Sequence, residues 1–119
     1  MKYAFAIFLM LFSSYSFSED SSYTVEQIKE GESLFQNFCV LCHGATGQGD
    51  GKMSKIVKAP PPYNLTKSGQ TDKYLRDVII KGGEAMGRSK QMPPFGDELS
   101  EDQVKSVIAY IRSLKEDDE

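Results

Sequence analysis

Cys39-Val40-Leu41-Cys42-His43 sets two thiols three residues apart with an imidazole directly behind them. That order of groups is the attachment pattern of c-type haem. Each thiol adds across one vinyl group of a porphyrin. Both sulfurs must therefore reach opposite vinyls from a single short turn. The adjoining histidine then lies under the iron and supplies an axial nitrogen. Other uses of the same groups are less economical. A structural zinc site takes about four ligands, and the chain holds only two cysteines and one histidine, so carboxylates would have to complete it. A disulfide between Cys39 and Cys42 would close a small strained ring, or work as a redox dithiol.

Upstream of the motif, Thr24 and Gln27 form a T-x-x-Q capping box, with Tyr23 and Ile28 at the staple positions. Ile28, Gly31, Leu34, Phe35 and Phe38 follow helical spacing, which predicts a helix running straight into Cys39. Glycine inside a helix costs about 1 kcal/mol relative to alanine. Gly31 on the apolar face thus points to another element packed close against it.

Downstream, Gly44, Gly47, Gly49 and Gly51 fall within eight residues. No Gly-Lys-Ser/Thr ending follows, so a tight loop is expected and not a phosphate site. Met53 to Lys58 reads as loop or a short helical piece. Ala59-Pro60-Pro61-Pro62-Tyr63 cannot be helix interior, because proline lacks the N–H. An extended, stiff segment follows from it. A ligating histidine usually donates its second ring N–H to an acceptor; a proline carbonyl of this segment is a candidate acceptor for His43, and a plain rigid linker is the other reading of the spacing.

Thr71 to Lys81 is expected as a second helix, capped by Thr71, with Tyr74, Leu75, Val78 and Ile79 as its apolar stripe and Gly82-Gly83 as its end. The loop from Glu84 to Glu98 carries two methionines, Met86 and Met92. With the one histidine already used, a thioether is the remaining soft ligand for a haem iron. Met92 precedes Pro93-Pro94, which biases it toward extended backbone and stiffens the loop. Met92 is therefore the favoured sixth ligand and Met86 the alternative, while Met53 and Met86 are read as packing residues. Ser100 and Gln103 form another capping box, with Leu99 and Val104 as its staple. Val104, Val107, Ile108, Ile111 and Leu114 share one face of the last helix. Burying each contributes about 1.5–3 kcal/mol. The expected partner of that face is the first helix at Gly31 and Phe35.

At the start of the chain, Lys2, the apolar run Tyr3 to Phe12 and the small-residue end Ser16-Phe17-Ser18 have the layout of a signal peptide over residues 1–18. The run is shorter than the ~20 residues of a membrane span. Residues 19–119 then make one domain, small for a self-sufficient core, which suits folding around an apolar cofactor. The chain carries a formal net charge of −3, and no aromatic-basic motif occurs. Nucleic acid is excluded as a partner on both counts. From Asp50 to Lys90, however, nine Lys/Arg stand against four Asp/Glu. That stretch is either a solvated surface or a face that steers an acidic partner.

Together these features resemble a small class I c-type cytochrome of the bacterial periplasmic kind. The resemblance covers nearly all of residues 24–115. Gly31 and Phe35 precede the Cys39/Cys42/His43 motif. Gly44, Gly47, Gly49, Asp50 and Gly51 follow it, then the proline segment, Met92-Pro93-x-Phe95, and a helix ending in Ala109-Tyr110-Ile111-Arg112. The resemblance implies an all-α fold with three main helices and loops around one haem. It implies one covalent haem c on Cys39 and Cys42, axial His43 and Met92, and one-electron transfer without a catalytic reaction of its own. Implied partners are a dehydrogenase, a bc1-type complex or a terminal oxidase or reductase, with membrane contact only through them or an uncleaved leader. A haem subunit of a periplasmic dehydrogenase or terminal reductase complex is the alternative. A gas sensor or peroxidase would need an open distal site with polar help. There is no second histidine, and Arg88 is the lone arginine of the methionine loop.

Overall fold

The structure, a computed structural model, describes residues 22–57 and 59–115. The leader expected at residues 1–18 and the acidic tail Glu116 to Glu119 lie outside the described residues. Among the described residues four helices occur, in the order α1 (Val25–Phe38), α2 (Val40–His43), α3 (Asp72–Lys81) and α4 (Glu101–Ser113). Tight 3-10 turns at Lys52–Lys55, Leu65–Lys67 and Glu84–Met86 punctuate the loops. No strand is present among the described residues, so the fold is all-α, with three main helices and one short turn of helix.

Both capping boxes form as the sequence requires. The Thr24 hydroxyl accepts from the Gln27 N–H at 3.1 Å, and the Gln27 side chain accepts from the Thr24 N–H at 2.9 Å. Ser100 and Gln103 repeat this at the start of α4. Thr71 caps α3 by accepting from the Tyr74 N–H at 3.1 Å.

Helices α1 and α4 cross at Gly31. A Cβ at that position would lie 1.8 Å from the Ser106 carbonyl oxygen and 2.9 Å from the Tyr110 Cβ. No side chain fits, so the backbones touch. Phe35 is 0% exposed beside the crossing, its ring 5.1 Å from that of Tyr110 and tilted by 59°. Ser106, also buried, donates its hydroxyl to Glu30 across the same contact. Val104, Val107, Ile108 and Ile111 complete this side of the core with Leu75, Ile79 and Leu99.

The basic stretch is only partly a free face. Asp77 of α3 is buried, and Lys73, Arg76 and Lys81 reach it at 2.7, 3.1 and 3.9 Å. The hydrogen bond from Lys73 holds the Asp77 carboxyl below its ordinary range, against the opposing effect of burial. Arg76 also pairs with Glu101 of α4. The reading of Met53 and Met86 as packing residues is corrected. Met53 stands on the Lys52–Lys55 turn, 39% exposed. Met86, half-buried on its own 3-10 turn, takes no part in the core cluster.

Candidate haem site

The helices leave one side of the core open. A cavity of about 400 Å³ lies there, within the roughly 300–1,000 Å³ of pockets that enclose cofactors. Its apolar walls include Phe35, Leu75, Val78, Ile79, Val107 and Ile111. Cys39, Cys42, His43 and Met92 all line it, whereas Met53 and Met86 do not.

The motif is held from behind by the glycine loop. The Gly49 N–H donates to the His43 carbonyl at 2.7 Å and the Gly51 N–H to the Cys42 carbonyl at 3.1 Å. Gly49 needs its positive φ of 84°, and a Cβ there would come within 2.5 Å of the Pro62 carbonyl oxygen. That close approach explains a correction. The His43 Nδ1 is 3.1 Å from the carbonyl of Tyr63, not from one of a proline. The Pro62 carbonyl is turned onto Gly49, and the next carbonyl along reaches the ring.

A carbonyl can only accept, so Nδ1 carries the proton and Nε2 keeps its lone pair. Burial lowers the His43 pKa, with the Tyr63 bond opposing it. The ring is therefore neutral at pH 7 and suited to a metal. Cys39 and Cys42 are free and half-buried. Burial, and then the neighbouring Cys42, push the Cys39 thiol up to about 12.

On the opposite wall the methionine loop is tied to the end of α3. The Phe95 and Gly96 N–H groups donate to the Ile79 and Ile80 carbonyls at 2.9 and 3.2 Å. Those carbonyls belong to the last turn of the helix, which has no partners of its own to offer. The Gly83 N–H donates to the Met92 carbonyl at 3.0 Å, and the Gly83 carbonyl accepts from the Arg88 N–H at 2.8 Å. A Cβ on Gly83 would lie 2.1 Å from the Ser89 carbonyl oxygen. Gly82-Gly83 thus ends the helix and also admits the loop. A glycine pair at a helix end was the available signal, but it reads equally well as a terminator alone.

This donor set fits a haem: an apolar slot, two free thiols, an imidazole with one nitrogen already committed, and a thioether. Among the described residues no group of three or more His, Cys, Asp or Glu side chains gathers that could hold a metal ion.

An all-α domain with this motif on its cavity wall defines a c-type cytochrome. The chain belongs to the family described as cytochrome c oxidase, cbb3-type, subunit III, whose model matches residues 26–111, a span that contains all four site residues. Membership implies haem c binding and electron transfer. The chain is 27% identical over 94 residues to quinohemoprotein alcohol dehydrogenase ADH IIB of Pseudomonas putida, covering 78% of this chain and 12% of that protein. It is 36% identical over 92 residues to the cytochrome bc1 complex cytochrome c subunit of Corynebacterium diphtheriae, covering 75% of this chain and 28% of that one. The chain thus spans less than a third of the length of these relatives. Among solved structures, it is similar to a chain of the Kuenenia stuttgartiensis reducing HAO-like protein complex, with a TM-score of 0.65, 26% identity, and coverage of 78% of this chain and 46% of that one. It is also similar to cytochrome CL of Methylophaga aminisulfidivorans, with a TM-score of 0.55, 28% identity, and coverage of 74% and 55%.

Proposed function

We propose that this protein is a one-electron carrier of the periplasm, exported by the leader at residues 1–18. It holds one haem c per chain through thioethers to Cys39 and Cys42, with His43 and Met92 as axial ligands. When bound, the haem iron supplies a one-electron couple. The rest is the work of this chain. Cys39 and Cys42 would hold the group covalently, each S–H adding across a vinyl with sulfur to one carbon and hydrogen to the other, and would thereby fix its position and rotation. The Tyr63 carbonyl orients His43 and keeps Nε2 unprotonated. The loop tied to Gly83, Ile79 and Ile80 presents Met92 without large entropy loss. The apolar walls exclude water. Were His43 and Met92 both to hold the iron, no substrate would reach it, which is why the reading is a carrier and not an enzyme.

The observation that carries this reading is that Met92, alone of the three methionines after the leader, lines the same cavity as the motif. A mass measurement with a reduced absorption spectrum of exported protein tests it. One added haem and a low-spin spectrum are expected; colourless protein with two free thiols would overturn it. Met92→Ala should open the iron to carbon monoxide at neutral pH and remove the thioether–iron band of the oxidised form. Unchanged spectra would move the assignment to Met86.

The second reading is a haem subunit serving a larger redox enzyme. It draws on the names of the relatives, an alcohol dehydrogenase and a bc1 complex subunit, both far longer than this chain. Co-purification with a larger chain would favour it.

A further inference from the structure

The chemistry of the cavity leaves one surface unexplained, the 3-10 turn beside the motif. Gly51 lays that turn on α2: a Cβ there would come within 2.2 Å of the Leu41 carbonyl oxygen. The turn is wound by the Ser54 and Ile56 N–H groups, which donate to the Gly51 and Met53 carbonyls at 2.9 and 3.1 Å. Side chains three residues apart stack in such a helix. Met53 and Ile56 therefore form one row, and Lys52 and Lys55 the row beside it.

Both rows are open to solvent. Ile56 is 59% exposed, and so is Leu41 on the adjoining α2. Apolar side chains exposed singly are ordinary, but a gathered group marks a contact surface. The lysines are unspent. On α3 the cations are tied to Asp77, whereas among the described residues neither Lys52 nor Lys55 pairs with a carboxylate. The neighbouring Asp50 is turned onto Gly44, where a Cβ would lie 2.0 Å from its Oδ1. The inner side of the turn belongs to the cavity. Val57, whose N–H donates to the Met53 carbonyl at 3.1 Å, is buried and lines it.

We propose that Leu41, Met53 and Ile56, edged by Lys52 and Lys55, form the docking face for a redox protein with an acidic rim around an apolar centre. The proposal rests on the haem c carrier reading. One electron passes from the reduced carrier to the oxidised partner, and no bond forms or breaks. The apolar strip holds the partner, and the lysines set its approach. The charge pattern selects this occupant. A second copy would crowd both copies' Lys52 and Lys55 into one small contact. A lipid surface is held by clusters of about four to eight basic residues, whereas this turn brings Lys52 and Lys55 in a chain of net charge −3.

The test times oxidation of the reduced, haem-loaded full chain by two small probes. Hexacyanoferrate(III) is an anion, and tris(phenanthroline)cobalt(III) is a cation. The ratio of the two rates cancels changes in the haem's own potential. Lys52→Glu with Lys55→Glu should lower the anion-to-cation ratio about tenfold at low salt, the small end of electrostatic steering. Lys29→Glu with Lys105→Glu, both exposed on other helices, makes the same change in net charge and should leave the ratio near the parent's. If the first pair is not recovered with haem, Lys52→Gln with Lys55→Gln decides by a smaller drop. Acidic polymers read the apolar strip. A glutamate–tyrosine copolymer should slow oxidation of the parent by hexacyanoferrate(III) more than polyglutamate does, and Ile56→Ser should erase that difference. A ratio unmoved by the Lys52/Lys55 change, an equal drop in both pairs, or no difference between the polymers overturns the proposal. So does binding to phosphatidylglycerol vesicles, or a dimer in sedimentation, that Ile56→Ser abolishes. A colourless parent overturns the haem reading itself.

Discussion

The two walls of the cavity are built in opposite ways. On the His43 side the side chain of the proposed ligand is itself fixed: its ring is bonded to Tyr63, and its backbone is bonded to the glycine loop. On the Met92 side only the backbone is fixed, through Gly83 and the last turn of α3. The thioether has no partner of its own. As the proposed weak ligand, Met92 would depend on the loop staying where the helix end puts it. The difference teaches where each wall should fail: the first at its side chain, the second at its glycine.

The largest effect should follow His43→Ala. It removes the committed nitrogen and leaves the Tyr63 carbonyl facing a void. The reduced low-spin spectrum should be lost outright, as absorption of purified protein would show. Retention of that spectrum would mean the imidazole wall is not the anchor.

Gly49→Ala attacks the same wall from behind. The positive φ costs a non-glycine residue about 1–2 kcal/mol, and the clash with the Pro62 carbonyl adds to it. We expect about 3 kcal/mol of lost stability in denaturant unfolding, with the thioether–iron band still present. Gly83→Ala attacks the other wall. Its φ of −67° suits alanine, so the cost is steric, an overlap with the Ser89 carbonyl and crowding of the Met92 Cβ at 3.2 Å, typically about 1–3 kcal/mol. The expected outcome is the reverse pairing: a smaller loss of stability, about 2 kcal/mol, and a weakened or absent thioether band with easier carbon monoxide binding. If both variants lose the band alike, the walls are not independent.

The same contrast decides what was legible in the sequence. The capping boxes at Thr24 and Ser100, the close approach at Gly31 and the end of α3 at Gly82 rest on local rules, and each is where those rules put it. The Cys39/Cys42/His43 motif is equally local. The Tyr63 carbonyl was not legible, because every residue has a carbonyl and which one reaches the ring depends on how this segment packs on the glycine loop. Met92 and Met86 are six residues apart in one loop. What separates them is a cavity formed by α1, α3 and α4, a tertiary fact with only the proline pair to hint at it. The exposure of Met53 and the burial of Asp77 likewise depend on neighbours far away in the chain.

A third corner joins the helices behind both walls, and it gives the smallest effect. Tyr23 donates to Asp72, and Arg112 of α4 donates to the same carboxylate and to the backbone carbonyl of Gln70. Burial works to raise the Asp72 carboxyl, but the hydrogen bonds from Tyr23 and Arg112 outweigh it and hold it below its ordinary range. Burial first, then Asp72, pushes the Tyr23 hydroxyl from its ordinary 10 up to about 12. The folded state thus holds this proton more tightly than the unfolded chain does. The stability it contributes is complete below pH 10 and is lost as pH rises from 10 toward 12. Tyr23→Phe should lower stability at neutral pH by about 1 kcal/mol or less, the usual net worth of one such bond, and should flatten the fall between pH 10 and 12 in thermal unfolding. Because Tyr23 touches neither wall, the spectra at pH 7 should match those of the parent. A Tyr23→Phe protein that lost its thioether band would show that α3 couples this corner to its far end, and the two walls would then share a common support.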